Sequence, residues 1–221
     1  MLQKKFIDPQ KLVCIFAHPD DEAFGAGGAI AYFAGKIQVE VICVTNGDFP
    51  RNKKIGEVRK KELLESAKIL GVKKVHFLGF HDGELSLKNY HEVASKVEKI
   101  LKDVKPDTIL TFDQNGVSGH LDHVAVSFVS SYLFERLNFL KNIYYFCEKR
   151  GVKKIVGKKY FVYFPEGYSK DEVDWILDVT PFYKIKIKAM KAHVSQRKDF
   201  LFLTTFFKKY LKEEYFKIQS K

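Results

Sequence analysis

The chain has 221 residues, 46% of them hydrophobic, which suffices for one sizeable core and requires no second domain, so residues 1–221 are read as a single domain. Its 38 basic against 27 acidic residues leave a formal charge of +11, but the lysines are interleaved with Glu and Asp and no RNA-binding or zinc-finger motif is present, so nucleic acid is not an expected partner. Three widely spaced cysteines, Cys14, Cys43 and Cys147, argue against a disulfide framework, and residues 1–11 hold no apolar run of signal-peptide or membrane-span length; a cytoplasmic protein without a transmembrane segment is expected.

In chain order, residues 12–17, 39–45, 74–78, 108–112 and 143–147 are short apolar or β-branched runs that predict strands. Between them, residues 27–35, 57–70, 90–104 and 121–137 carry helical spacing, with Gly71 as a stop signal past the second. This alternation predicts an α/β fold: Rossmann-like and doubly wound, with a mostly parallel sheet, right-handed crossovers and helices on both faces. After Arg150 the pattern loosens. Residues 159–164 and 174–180 predict strands, the second stopped by Pro181, and residues 183–218 predict two basic amphipathic segments with a break near Ser195.

Chemistry is concentrated in two short motifs. His18-Pro19-Asp20-Asp21-Glu22 follows the first predicted strand, so His18 leaves the sheet at its carboxyl edge, where open α/β sheets bind ligands. His120-Leu121-Asp122-His123 follows the fourth. Catalytic zinc commonly takes three His or carboxylate ligands and keeps a position open for water; His18 and Asp21, three residues apart, supply two and His123 the third. If Gly119-His120 opens a helix, His120 and His123 share a face at i and i+3. His120 is then free to donate to a developing oxyanion, with Asp122 the nearest carboxylate to hold its proton or fix its tautomer, and Asp20 is the candidate general base. Each motif alone reads equally as a helix cap, the Asp or His side chain accepting from free backbone N–H groups. Two such clusters, each behind a parallel strand, are harder to assign to capping. A dinucleotide fingerprint after Gly25 and Gly27 fails, because the third glycine position holds Ile30.

These residues resemble the PIG-L/LmbE family of zinc-dependent N-acetylglucosaminyl de-N-acetylases. The likeness runs through Ala17 to Glu22, Thr45-Asn46-Gly47-Asp48, Arg59 with Glu62, Leu70-Gly71-Val72, Phe77-Leu78-Gly79, Asp82-Gly83, the segment from Gly116 to His123, and Lys191 to Gln196. It implies a metal, Zn2+ or another divalent ion such as Fe2+, on His18, Asp21 and His123. Asp20 is then the base, His120 the polarising group and Asp122 the residue that tunes it. Arg59 and Asp82 match substrate-binding positions. The implied reaction is hydrolysis of the N-acetyl group of an N-acetylglucosamine-containing small molecule, with a zinc-dependent amidase on another small N-acyl compound as the alternative; the resemblance also admits a homo-oligomer. One departure is Ser118, where some members carry a tyrosine two residues before the polarising histidine. Tyr168 is a candidate to supply that hydroxyl.

Overall fold

The computed structural model describes residues 7–86, 88–156 and 163–221. In chain order the main elements are β1 (Lys11–Phe16), α1 (Asp21–Phe24), α2 (Gly27–Ala34), β2 (Gln38–Thr45), α3 (Lys53–Leu70), β3 (Lys74–Phe80), α4 (Tyr90–Val104), β4 (Thr108–Phe112), α5 (Gly116–Gly119), α6 (Leu121–Arg136), β5 (Asn142–Cys147), α7 (Val152–Val156), β6 (Trp175–Asp178), α8 (Tyr183–Ala192), α9 (Arg197–Phe206) and β7 (Glu213–Ser220). The strands form one sheet in the order β3-β2-β1-β4-β5-β7-β6. The first five are parallel, and β7 lies antiparallel between β5 and β6.

This is the mostly parallel α/β sheet that the alternation predicts. β4 is buried along its whole length and β1 everywhere but its first residue, as befits strands covered by helices on both faces. Phe16, Phe33, Phe134 and Tyr144 are among the largest fully buried side chains. Full burial of one such aromatic contributes about 1.5–3 kcal/mol. The strand order reverses between β1 and β4, so the loops leaving their carboxyl ends diverge and open a crevice. Both sequence motifs stand in those two loops.

The boundaries depart from the sequence reading mainly in two places. Helix α3 begins at Lys53, where the Asn52 side chain accepts from the backbone N–H groups of Lys54 and Ile55 at 3.1 and 3.3 Å; its first turn is Lys-rich and solvated, so apolar periodicity does not reveal it. The second amphipathic segment is helical only as far as Phe206, and Glu213–Ser220 is a strand because it completes backbone pairing with β5 and β6 together. Most of the strand expected over residues 159–164 lies outside the described residues. Among the described residues, no helix is long and apolar enough to cross a membrane.

Candidate metal centre at the strand-order reversal

The loop after β1 reaches its conformation by an unusual route. Asp20 takes φ 152°, a backbone geometry that L residues rarely adopt and that surrounding contacts must impose. Arg59 from α3 is the main contact: its guanidinium donates to the carbonyls of Gly47 and Pro19, each at 3.1 Å, and to Asp20 Oδ2 at 3.0 Å. Gly47 sits at φ +62°, and a Cβ there would come within 2.8 Å of that guanidinium. Three chain segments, α3 and the loops after β1 and β2, are therefore held together by one cation.

On the other side, the loop after β4 passes through Gly119 at φ +78°, where any Cβ would strike the carbonyl oxygen of Tyr163 at 2.0 Å. His120 then caps α6: its Nδ1 accepts from the backbone N–H of Asp122 at 3.2 Å. His123 stacks face to face on Phe112, centroids 4.1 Å apart.

These two segments, with Arg59 from α3 and Asp82 from the loop after β3, bring all eight residues singled out from the sequence into one cluster. His18 Nδ1 faces His123 Nε2 at 3.1 Å; the Asp21 carboxylate lies 3.6 Å from the first and 3.3 Å from the second. His18 Nε2 meets Asp122 Oδ2 at 3.0 Å and Asp82 Oδ1 at 3.1 Å. Asp82 is also 3.6 Å from the Arg59 guanidinium. His120 offers a ring nitrogen within 4.8 Å of those of His18 and His123.

The outer partners fix the tautomers. His18 Nε2 lies against carboxylates and His123 Nδ1 against the Gly116 carbonyl at 3.1 Å, acceptors that require a proton on each of those nitrogens. His18 Nδ1 and His123 Nε2 are left as lone pairs aimed at each other beside a carboxylate. Only a cation, or a proton standing in for one, relieves that repulsion. The spacings suit one ion: Zn–N distances of 2.0–2.1 Å place tetrahedral donors about 3.3 Å apart. The donor set therefore fits a divalent metal.

Charge in the cluster follows from burial and these contacts. Burial alone would lower the His18 pKa, but Asp122, Asp21 and Asp82 hold it well above its ordinary value. Burial works against ionised Asp21 too, yet the neighbouring His123 and His18 keep its carboxyl well below the usual range. Asp20 behaves differently: burial raises it to about 6 against the pull of Arg59. Burial, then the charges on His18 and His123, push His120 down to about 4.

Two expected contacts are absent from this arrangement. The Asp122 carboxylate does not touch the His120 ring. It accepts from Gly83 N at 2.7 Å and Leu85 N at 3.0 Å and bears on His18; His120 is oriented instead by the Asp122 backbone N–H. The reason is the cap, which turns the imidazole over the first turn of α6 and sends the Asp122 side chain inward. Tyr168 is also engaged elsewhere, its hydroxyl accepting from Asn115 Nδ2 at 3.2 Å. Arg59, matched to a substrate-binding position, spends one terminal nitrogen on the Gly47 carbonyl of the loop after β2 and the other on Pro19 and Asp20 in the loop after β1.

The sequence reading missed the layer that supports this site. Glu22 Oε1 accepts from Ser66 Oγ at 2.5 Å and from His193 Nε2 at 2.7 Å, all three fully buried. Lys186 Nζ donates to the Gly25 carbonyl at 2.7 Å and to Glu214 Oε1 at 2.6 Å, while the Glu214 carboxylate caps α2 through Gly28 N and Ala29 N, each at 2.8 Å. A usable signal existed for Lys186, which lies three and four residues before Ala189 and Met190 on the apolar face of α8.

Comparison with known proteins agrees with this picture. The sequence profile of the PIG-L family, described as GlcNAc-PI de-N-acetylase, matches residues 13–133. A probable N-acetyl-alpha-D-glucosaminyl L-malate deacetylase 2 of Bacillus cereus is 38% identical over 125 residues, a match spanning 52% of this chain and 56% of that protein. A 1D-myo-inositol 2-acetamido-2-deoxy-alpha-D-glucopyranoside deacetylase of Mycobacterium sp. (strain JLS) is 27% identical over 84% of this chain and 74% of its own length. Among solved structures, the N,N'-diacetylchitobiose deacetylase of Pyrococcus horikoshii superposes with TM-score 0.74 at 26% identity, covering 100% of this chain and 87% of that one.

Proposed function

The chain belongs to the PIG-L family, whose profile spans more than half of it, and from that premise we propose that it is a metal-dependent hydrolase that removes the N-acetyl group from an N-acetylglucosamine-containing small molecule. The observation that carries the reading is the set of three lone-pair donors, His18, Asp21 and His123, within 3.6 Å of one another and beside Asp20 and His120. Zinc is the ion we assign, and with it bound the site gains Lewis-acid activation of the attacking water.

The remaining work falls to the chain's own side chains. Asp20, oriented by Arg59, accepts the proton that the water loses as it adds to the amide carbonyl. His120 carries its proton on Nε2, because Nδ1 accepts from the Asp122 backbone, and so donates a neutral hydrogen bond to the oxyanion. A neutral imidazole that gives up its only proton becomes an anion, so the proton for the departing amine comes from Asp20, now a carboxylic acid. Asp82 and Asp122 hold His18 by Nε2 and make it a better ligand. Free, buried Cys14, Cys43 and Cys147 are in keeping with a reducing cytoplasm.

The test is release of primary amine from a panel of free and conjugated N-acetylglucosamine substrates by zinc-loaded protein, with His18→Ala alongside. Release that His18→Ala abolishes supports the reading. Silence across the panel with one zinc bound per chain overturns the substrate assignment and favours another small N-acyl amide.

A further inference from the structure

Beside the donor cluster lies a cavity of about 410 Å3 that the proposed acetyl group does not fill. It borders the cluster through Asp21 and His123, and none of His18, Asp20, Arg59, Asp82 or His120 lines it. Its walls are chiefly apolar: Phe24, Phe112, Phe146, Phe202, Leu203 and Phe207. The charged groups in the lining are largely engaged with other protein groups. Lys186 is on Glu214 and the Gly25 carbonyl, and Lys149, which burial brings down to about 8, donates to the Tyr210 carbonyl. Ser118 is one of the lining residues, and its Oγ is buried with no hydrogen-bond partner among the described residues.

The cluster thus has two unlike sides. On one, Asp20, Asp82 and His120 stand outside the cavity lining, and their carboxylate oxygens and ring N–H suit sugar hydroxyls. The other is this aromatic-lined space, which meets the donors at Asp21 and His123. An amide held at the donors has two substituents that diverge from the carbonyl carbon and nitrogen. With the sugar on the polar side, the acyl substituent points into the apolar cavity. A volume of 410 Å3 has room for roughly a dozen groups at the ~30 Å3 that one water takes up in the liquid. An acetyl methyl needs one of those places.

Resting on the de-N-acylation reading above, we propose that this cavity is an acyl subsite and that the preferred substrate class is an N-acyl glucosamine conjugate whose acyl chain is longer than acetyl, of about six carbons or more. The reaction balances as for acetyl: water adds to the carbonyl, the C–N bond breaks, and a fatty acid and a primary amine leave.

The experiment compares kcat/KM for N-acetyl, N-butyryl, N-hexanoyl and N-octanoyl glucosamine, with an N-acetylglucosaminide series carrying methyl, hexyl or octyl aglycones beside it. Each methylene that leaves water is worth about fourfold in kcat/KM at full burial. The expected result is a gain of tenfold or more from acetyl to hexanoyl, with the hexanoyl-to-acetyl ratio falling at least tenfold in Phe202→Asp, whose site on α9 is over one-third exposed, or in Leu203→Trp, which fills the space. A gain below tenfold, a gain confined to the aglycone series, or a ratio that both folded variants leave intact overturns the proposal while the de-N-acetylase reading stands. Inactivity on every N-acyl glucosamine sinks that reading instead, and this one with it.

Discussion

Glu214→Ala removes a carboxylate on which three donors converge, and its cost can be worked from their geometry. Lys186 and Glu214 are 2% and 1% exposed, so the pair stands away from solvent screening. Deleting one partner of such a pair leaves a charge without compensation and costs about 3–5 kcal/mol. The Gly28 and Ala29 N–H groups lose their acceptor as well, which adds about 1 kcal/mol, the usual weight of a helix cap. Lys186 keeps the Gly25 carbonyl and offsets part of this, so the expected loss is about 4 kcal/mol. Domains of this kind have about 5–15 kcal/mol to lose. Urea unfolding, followed by circular dichroism and by fluorescence of Trp175, the one tryptophan, which stacks on Phe216 at 4.8 Å, reads the change directly. At a slope of about 3 kcal/mol/M, the midpoint moves down by about 1.3 M. Adding Lys186→Met to Glu214→Ala restores at least ~2 kcal/mol relative to the sum of the single losses, because the stranded ammonium is gone. A Glu214→Ala midpoint within about 0.4 M of wild type, or strictly additive losses, refutes the reasoning.

Other outcomes follow from the cluster. Asp20→Asn is expected to keep its zinc, measured by plasma mass spectrometry, and to lose roughly 100-fold or more in turnover, the range for a general base; unchanged turnover would remove Asp20 from that role. Asp122→Ala deletes the main acceptor for His18 Nε2, so zinc affinity measured by chelator competition should fall about 10–100-fold; unaltered affinity would make Asp122 a purely structural anchor. For pH, burial opposes the charge on His193 but Glu22 raises its pKa above the ordinary value, so the pair's contribution is complete below about 6.5 and is lost as pH rises through the folded-state value. Urea midpoints between pH 5.5 and 8.5 should therefore decline on the alkaline side in wild type, and His193→Gln should flatten that decline; equal slopes in both proteins would contradict the assignment.

Much of this architecture was legible in the chain because the first 150 residues state it in local terms. Fully buried parallel strands such as Thr108–Phe112 appear as unbroken apolar or β-branched runs, and Gly71, at φ 83°, ends its helix as a lone glycine signal suggests. The donors were legible for a related reason: they stand directly behind two such strands. What stayed hidden depends on contacts between distant segments. Nothing near Glu214 indicates that its carboxylate caps a helix 186 residues away, or that the strand carrying it pairs on both edges. The Asp122 carboxylate was assigned to its sequence neighbour His120, whereas the fold turns it toward His18, 104 residues distant. Sequence adjacency is a poor guide wherever a cap rotates a side chain out of its neighbour's reach.

The position of β7 sets the order of assembly. Ser220 lies opposite Asn142, 78 residues away, and closing a flexible loop of that length costs about 4 kcal/mol in chain entropy before any pairing rewards it. The β1–β2, β2–β3 and β4–β5 pairings close much shorter stretches, and among the described strands the β1–β4 pairing, with Leu12 opposite Thr108, spans more; β7 is therefore expected to dock after the three local pairings have formed. Until it does, β5 presents an unpaired edge to which a strand of another chain can add. Glu214 travels with β7, so the brace behind the metal loop is locked in the same step that closes this aggregation-prone window.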